Sequence, residues 1–252
     1  MDLNLKSKYA LITGSSCGIG RAIAIALADE GCNVCICARG EKWLKFTEAK
    51  LRDRKVEVLS ICDDVTLIQG VKHVMDNIQH TWGKLDILVN NVGGGGRWGT
   101  LDYENTPEKT WEEVYHKNAG TAIRFTMAAI PLMLKNKWGR VISIVSVHGL
   151  SGYGGRPWFC MAKSAEISLM NSLSSDNRLV SAGITFNSIA PGPIRTGGWE
   201  EVSLGERAAA EKKTPLNRLG TPWEVASIAT FLASSRSSYI NGVCIPVDGG
   251  RA

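Results

Sequence analysis

The chain has 252 residues, 44% of them hydrophobic, and its 29 basic and 24 acidic residues give a net charge of +5. A chain of this length can bury a large core, and its cations are scattered rather than clustered, which argues against a nucleic-acid partner. No apolar run is long enough to predict a membrane span. The odd number of cysteines, seven, and the lack of a signal sequence favour a reducing, cytoplasmic setting. Their spacing, with dispersed histidines, predicts no metal site.

Short apolar runs alternate along the chain with segments of helical period. The runs predict strands at residues 9–13, 33–38, 56–62, 85–90, 140–145, 184–190 and 243–247. The segments between them predict helices near residues 18–30, 41–54, 67–82, 107–136, 157–180 and 222–233. This alternation predicts an α/β Rossmann fold with a doubly wound, seven-stranded parallel sheet and helices on both faces. No linker divides the chain, so we expect one domain over residues 1–252.

A glycine-rich turn follows the first predicted strand and opens the first predicted helix, with the sequence Thr13-Gly14-Ser15-Ser16-Cys17-Gly18-Ile19-Gly20. Its glycines permit a tight turn and close approach of the backbone to a pyrophosphate, and the helix N-terminus favours negative charge. A glycine-rich turn can also bind nothing. The strand before it and the helix after it favour a nucleotide site.

The spacing TGxxxGIG resembles that of the short-chain dehydrogenase/reductase family, and in particular of its NADP(H)-preferring, 3-oxoacyl reductase-like members. The resemblance extends over residues 8–250. The further matches, in chain order, are Asp64-Val65, Asn90-Asn91-Val92-Gly93, Asn118, Ser146, Lys163 and Pro191-Gly192-Pro193. The resemblance implies an oxidoreductase that interconverts a ketone and a secondary alcohol by hydride transfer.

The resemblance also assigns roles in cofactor binding. Asp64 and Val65 would hold the adenine, Asn91 and Gly93 would flank the adenosine ribose, and Lys163 would reach the nicotinamide ribose. The remaining cofactor contacts would come from the glycine-rich turn and from the segment that covers the nicotinamide: Gly14, Ser16, Cys17, Gly18, Ile19, Gly20, Pro191, Gly192, Ile194 and Thr196.

Cofactor choice depends on the end of the second strand. An enzyme that prefers NAD usually has an acidic residue there to bind the ribose 2′-hydroxyl, whereas a 2′-phosphate requires a cation. Here Ala38 occupies the position of the acid and Arg39 follows it. We therefore predict NADP(H) rather than NAD(H). The alternative is that Arg39 is only a solvated surface charge, since Cys17 adds no second cation in the turn.

The predicted catalytic group departs from the family at one position. By resemblance, Ser146 positions the carbonyl oxygen, Asn118 holds a relay water, and Lys163 lowers the pKa of a tyrosine four residues before it. That position is Phe159, which keeps the aromatic ring but has no proton to give. A positioned general acid contributes about 10²- to 10⁴-fold in rate, so we expect strongly impaired turnover with fold and cofactor binding retained.

Three interpretations of Phe159 remain open at this point. The chain is a Tyr-to-Phe inactivated form of an active reductase, or a natural pseudoenzyme that binds a nucleotide for regulation, or an enzyme with a substitute acid. Nearby candidates for a substitute acid are Tyr153, His148 and Tyr103.

Other segments bear on the substrate and on assembly. Residues 194–214 predict a substrate lid, because they form the least regular stretch and follow a strand end. Trp98, Trp158 and Trp199 would give the pocket aromatic walls unless they serve core or interface packing, and Arg97 would meet an acidic substrate or water. Apolar residues in the helices near 107–136 and 157–180 exceed what one sheet-facing stripe needs, which favours a homotetramer, with a dimer as the alternative.

Overall fold

The computed structural model describes residues 2–100, 103–152, 154–197 and 202–251. Its strands form one sheet in the order β3-β2-β1-β4-β5-β6-β7, and every neighbouring pair is parallel. The seven strands are β1 Tyr9–Thr13, β2 Asn33–Ala38, β3 Val58–Cys62, β4 Ile87–Asn90, β5 Gly139–Ile144, β6 Ile184–Pro191 and β7 Cys244–Val247. The predicted seven-stranded parallel sheet is confirmed, with β3 and β4 each starting two residues later than their apolar runs suggested.

Helices cover both faces of this sheet, as predicted. They are α1 Gly18–Asp29, α2 Glu41–Arg52, α3 Ile68–Thr81, α4 Glu108–Tyr115, α5 Thr121–Asn136, α6 Val147–Ser151, α7 Pro157–Leu173, α8 Asn177–Val180, α9 Leu204–Lys212 and α10 Pro222–Ala233. One buried cluster packs α1, α2 and α10 on the first face, around Ile23 and Val225. A second cluster packs α3, α5 and α7 on the other, around Val74 and Phe125. Because both faces are covered, the central strands are buried throughout, which is why they are mostly apolar in sequence.

Two predicted helices are interrupted, so their bounds were wrong. The segment 107–136 contains a π-helical turn, His116–Gly120, between α4 and α5. The segment 157–180 ends as α7 at Leu173, and α8 starts afresh because the Asp176 side chain accepts hydrogen bonds from the backbone N–H groups of Arg178 and Leu179. Helix α6 was not predicted at all, since five residues are too few to show a helical period.

The winding of the sheet creates the crevice in which a site can form. The chain proceeds from β1 outward to β2 and β3 and then returns to place β4 on the other side of β1. Loops after β1 and β4 therefore diverge at the carboxyl edge of the sheet, where open α/β folds bind their ligands. Among the residues the structure describes, no helix is both long and apolar enough to cross a bilayer.

Candidate active site

The glycine-rich turn after β1 is tied to both neighbouring strands. Thr13 Oγ1 accepts hydrogen bonds from the backbone N–H groups of Asn91 and Val92 at 2.9 and 3.0 Å. Asn91 Nδ2 in turn donates to the carbonyl oxygens of Thr13 and Gly14 at 2.9 and 3.0 Å. A Cβ at Gly20 would lie 2.5 Å from the Gly14 oxygen, so the start of α1 reaches this turn only because residue 20 has no side chain.

A cavity of about 360 Å³ opens between this turn and the ends of β2, β3 and β4. It brings together eight of the sequence-predicted cofactor residues: Gly14, Ser16, Cys17, Arg39, Asp64, Val65, Asn91 and Gly93. We call it the adenosine cavity, after the part of the cofactor that the sequence places there. Its walls combine backbone of the turn with polar side chains, as a nucleotide site requires.

Charged groups of both signs line the adenosine cavity. Arg39 Nη1 lies 3.7 Å from Asp64 Oδ2, and the Arg39 side chain is mostly exposed above it. Burial alone would raise the pKa of Asp64, but hydrogen bonds from Thr66 and the nearby Arg39 guanidinium outweigh it and hold that pKa below its usual value. Lys117 also lines the cavity, and its own pKa is lowered by burial and by the charge of Arg39. Lys117 was not predicted from the sequence, where its only signal is its place directly before Asn118.

A second, larger cavity of about 630 Å³ lies over the ends of β5 and β6, and we call it the Ser146 cavity. Ser146 lines it together with the predicted cofactor residues Pro191 and Gly192. The Ser146 hydroxyl oxygen caps α6 by accepting from the backbone N–H of His148 at 3.2 Å, which fixes its direction. Helix α9 forms another wall, with Glu206 and Ala210 among its lining residues. This helix lies in the predicted lid, of which residues 198–201 fall outside the described residues.

Asn118 and Lys163 meet at Gly93. A Cβ built on Gly93 would lie 2.6 Å from Asn118 Oδ1 and 2.8 Å from Lys163 Nζ, so a glycine is required there. Asn118 is fully buried in the π-helical turn, where its Nδ2 donates to the carbonyl oxygens of Gly94 and Val114 at 2.8 and 2.7 Å. Its Oδ1 accepts from the Gly94 N–H at 3.0 Å. The side chain therefore locks the loop after β4 onto the helix, and the π-turn is a frequent mark of functional sites.

The Lys163 ammonium is held by two groups of the protein. Its Nζ donates to Glu166 Oε1 at 2.8 Å and to the Ile144 carbonyl oxygen at 3.1 Å. Both side chains of the pair are almost completely buried. Burial raises the pKa of the Glu166 carboxyl, and the Lys163 charge only partly opposes that rise. The second Glu166 oxygen has no hydrogen-bond partner within the described part of the chain. This carboxylate is a member of the site that sequence reasoning missed, although its three-residue spacing from Lys163 on one helix was visible.

Phe159 lies on α7 one turn before Lys163, as predicted from the sequence. Its ring packs on Gly96, where an added Cβ would come within 3.3 Å of the ring, and it is half-buried against the cluster of Val114, Trp158 and Ala162. The His148 ring stands edge-on to it with centroids 6.3 Å apart. Phe159 is thus linked through His148 to Ser146, and the ring carries no proton donor.

The three candidates for a substitute acid, His148, Tyr103 and Tyr153, lie in different surroundings or outside the described residues. Burial, with the charges of Arg251 and Arg156, lowers the pKa of His148 to about 4, so this imidazole is neutral near pH 7. Tyr103 is half-exposed in a single 3₁₀ turn and is not among the residues that line either cavity. Tyr153 lies outside the described residues.

The remaining predicted residues are distributed around the two cavities. Gly18 and Thr196 are neighbours, since a Cβ at Gly18 would lie 3.1 Å from Thr196 Cγ2. Ile19 packs partly on the core below α1, and the Ile194 side chain is buried in that core rather than facing either cavity. Of the two roles left open for Trp158, the structure shows core packing: it is fully buried and packs edge-to-face on Trp111. Trp98 is half-exposed with Lys117 Nζ 4.2 Å from its ring, and Trp199 lies outside the described residues.

The chain was compared with protein families and known proteins. Residues 14–252 match a family described as enoyl-(acyl carrier protein) reductase. The 3-oxoacyl-[acyl-carrier-protein] reductase FabG of Escherichia coli strain K12 is 34% identical over 253 aligned residues that cover 98% of each chain. L-sorbose reductase from Gluconobacter frateurii, solved with NADPH and L-sorbose, superposes with a TM-score of 0.93 at 28% identity, covering 100% of this chain and 98% of that one. A short-chain type dehydrogenase/reductase from Mycobacterium marinum superposes with a TM-score of 0.91 at 30% identity, with the same coverage.

Proposed function

Because this chain belongs to the short-chain dehydrogenase/reductase family, we propose that it has the site of an NADP(H)-dependent enzyme that interconverts ketones and secondary alcohols, inactivated at position 159. The observation that carries the proposal is the convergence of Asn118 and Lys163 at Gly93, with Phe159 one helical turn from Lys163. Compared with a site that has tyrosine at position 159, this site lacks only the phenol oxygen. A scaffold of this kind binds cofactor and substrate but lacks the proton donor for turnover.

The residues present fit a dinucleotide. The glycine cradle at Gly14, Gly18 and Gly20 leaves backbone N–H groups free of side-chain obstruction, and the adenosine cavity beside it holds the predicted adenine and ribose contacts. Arg39 lines that cavity, and Lys117 adds the second cation that the turn itself lacks. Two cations beside one cavity suit a ribose 2′-phosphate and favour NADP(H) over NAD(H). When bound, NADPH would supply the hydride.

The other roles belong to this chain's own side chains. The Ser146 hydroxyl, already oriented by the His148 N–H, would donate to the carbonyl oxygen of a ketone in the Ser146 cavity. Asn118 holds the loop after β4 in place and would retain the relay water through its backbone. In a parent with tyrosine at position 159, the Lys163 charge would lower the phenol pKa and the phenol would protonate the developing alkoxide. Helix α9, which is part of the predicted lid of residues 194–214, would close over the Ser146 cavity.

Replacing Phe159 by tyrosine tests this proposal. We expect Phe159→Tyr to raise NADPH-dependent reduction, on a panel of 3-oxoacyl esters, cyclic ketones, oxo acids and hydroxyacetone phosphate, by about 10²- to 10⁴-fold for at least one member. The matched control is Ser146→Ala in the Phe159→Tyr background, which should abolish most of the gain because the carbonyl is no longer held. Turnover is read from loss of NADPH absorbance. A Phe159→Tyr protein that binds NADPH and folds normally but gains no activity on the panel would contradict the proposal.

A second function is favoured by one observation, the burial of the Lys163 ammonium against Glu166. An ammonium engaged in this way is less available to tune a phenol, as expected for a nucleotide-dependent binding or regulatory protein that no longer catalyses. That function predicts tight NADPH binding and no gain in the Phe159→Tyr variant. The same assay therefore separates the two candidates.

Assembly as a homotetramer, in the cytoplasm, is part of the same proposal. Much of the apolar surface of α5 and α7 is used inside the subunit, with Phe125, Met133 and Met170 fully buried. Met127 on α5 and Met161 on α7 remain about half-exposed and support burial against another copy. Light scattering reads the state directly: a tetramer supports the assignment, and a monomer at working concentration contradicts it.

A further inference from the structure

We propose that the Ser146 cavity takes a ketone whose far end carries an anionic group, a carboxylate or a phosphate, bound by Arg97, Arg156, Lys213 and Arg251. This inference rests on the proposed function, because it assumes that the carbonyl is held at Ser146. It assigns a substrate class that the fold and the catalytic residues leave open.

The four cations come from four separate parts of the chain. Arg97 lies in the loop after β4, Arg156 directly before α7, Lys213 at the end of α9 and Arg251 after β7, yet all four line the one cavity. Cations distributed along a surface helix usually belong to a solvated face. Convergence from four segments onto one concave surface indicates instead a shared ligand.

Negative charge in the described lining comes from Glu206, whose carboxylate is already hydrogen-bonded to Ser203. Glu206 Oε2 accepts hydrogen bonds from the Ser203 N–H and hydroxyl at 3.3 and 2.9 Å as part of the cap of α9. Across residues 2–100, 103–152, 154–197 and 202–251, no carboxylate comes within ion-pair distance of the four cations. Arg207 on the same α9 behaves differently, because it pairs with Glu211 at 3.5 Å. Among the residues the structure describes, these four cations are therefore the ones left for a ligand.

Two of these guanidinium groups lie close enough to act on a neighbour. Arg251 Nη2 donates toward His148 Nε2 across 3.5 Å, and the charges of Arg251 and Arg156 add to burial in lowering the pKa of His148. Both arginines are half-buried, whereas Arg97 and Lys213 are exposed. A neutral His148 accepts from one N–H donor of Arg251. The other N–H groups of this guanidinium remain for a carboxylate or phosphate, which a guanidinium binds bidentately.

The position of Ser146 fixes the polarity of the ligand. Ser146 and His148 line the same cavity as the cations, so the carbonyl would point to Ser146 and the anionic group toward the arginines. A cavity of about 630 Å³ has room for both ends of a small oxo acid.

Ligand pairs that differ at their anionic end test the inference on the unmodified chain, which the proposed function expects to bind without turnover. The probes are levulinate and its homologues with one and three further methylene groups, each against its methyl ester, and hydroxyacetone phosphate against hydroxyacetone. Binding is measured by calorimetry in saturating NADPH. We expect an anionic member to bind about tenfold or more tightly than its neutral partner, equivalent to about 1.4 kcal/mol. The phosphate and carboxylate pairs show which anion fits better.

Variants localise the effect. Arg156→Gln and Arg251→Gln should each reduce the preference for the anion about tenfold, with Arg156→Lys and Arg251→Lys partly restoring it, while the paired Arg207→Gln leaves it unchanged. Equal affinities for the anionic and neutral members, or a preference that survives both glutamine variants with NADPH binding intact, would overturn the inference alone. Loss of NADPH binding, or of the Phe159→Tyr gain, would instead count against the proposed function.

Discussion

The two cavities of this protein differ in how closely they keep the chemistry of their family. The adenosine cavity contains its glycine turn, Asp64, Asn91 and a cation at Arg39. The proposed catalytic region has Ser146, Asn118 and Lys163, with phenylalanine at position 159 and a buried carboxylate at Glu166. In the proposed function, cofactor binding would depend on the first region and proton transfer on the second, so a chain could retain one without the other. Each of the following changes tests one side of that division.

The largest expected effect concerns the buried ion pair of Lys163 and Glu166 on α7. Glu166→Gln leaves the Lys163 ammonium buried without a counter-charge, so we expect the free energy of unfolding to fall by about 3–5 kcal/mol. Urea denaturation followed by circular dichroism measures the loss.

The matched control for that prediction removes both charges. The double variant Lys163→Met, Glu166→Leu should be clearly more stable than Glu166→Gln, because no charge remains buried and the volume is similar. Equal losses in the single and double variants would show that the two charges do not compensate each other.

The next effect concerns cofactor choice in the adenosine cavity. Arg39→Leu removes a charge-assisted hydrogen-bond donor, worth about 1.5–3 kcal/mol, so NADPH affinity should fall about 10- to 150-fold while NADH affinity changes little. Lys117→Met should act in the same direction. Arg52→Leu serves as the control, since that guanidinium pairs with Glu48 at 2.6 Å on the same side of the sheet. A parallel loss of NADPH and NADH affinity in Arg39→Leu would contradict the assignment of Arg39 to the 2′-phosphate.

The smallest effect is a pH dependence of stability from His148. Its pKa is about 4 in the folded chain against 6.5 for an unperturbed histidine, so the unfolded chain binds more protons between these values. Stability contributed by the neutral imidazole is complete above pH 6.5 and is lost as the pH falls toward 4. In His148→Gln the unfolding free energy should therefore fall less steeply over that interval. Identical slopes in the two proteins would mean that His148 is not held neutral by its surroundings.

The seven-stranded parallel sheet was predicted well from the sequence, because parallel strands buried on both faces are recognisable as apolar runs. The sequence placed Phe159 and Lys163 on one helix, and eight of the residues it predicted to bind the cofactor line one cavity of the structure. It did not predict the π-turn at Asn118, which depends on hydrogen bonds to the loop after β4. Nor did it find Glu166, Lys117 or the convergence of Arg156 with Arg251, since these contacts join side chains whose significance depends on packing and not on local pattern.

The central claim, that cofactor binding is intact while the proton donor is missing, is tested most directly by titrating NADPH into the chain and into Phe159→Tyr by calorimetry. We predict one NADPH per chain in both proteins, with affinities within about tenfold of each other, since a phenol oxygen adds at most about one net hydrogen bond, worth about 0.5–1.5 kcal/mol, to the bound state. Absence of saturable NADPH binding to the chain with Phe159 would contradict the account.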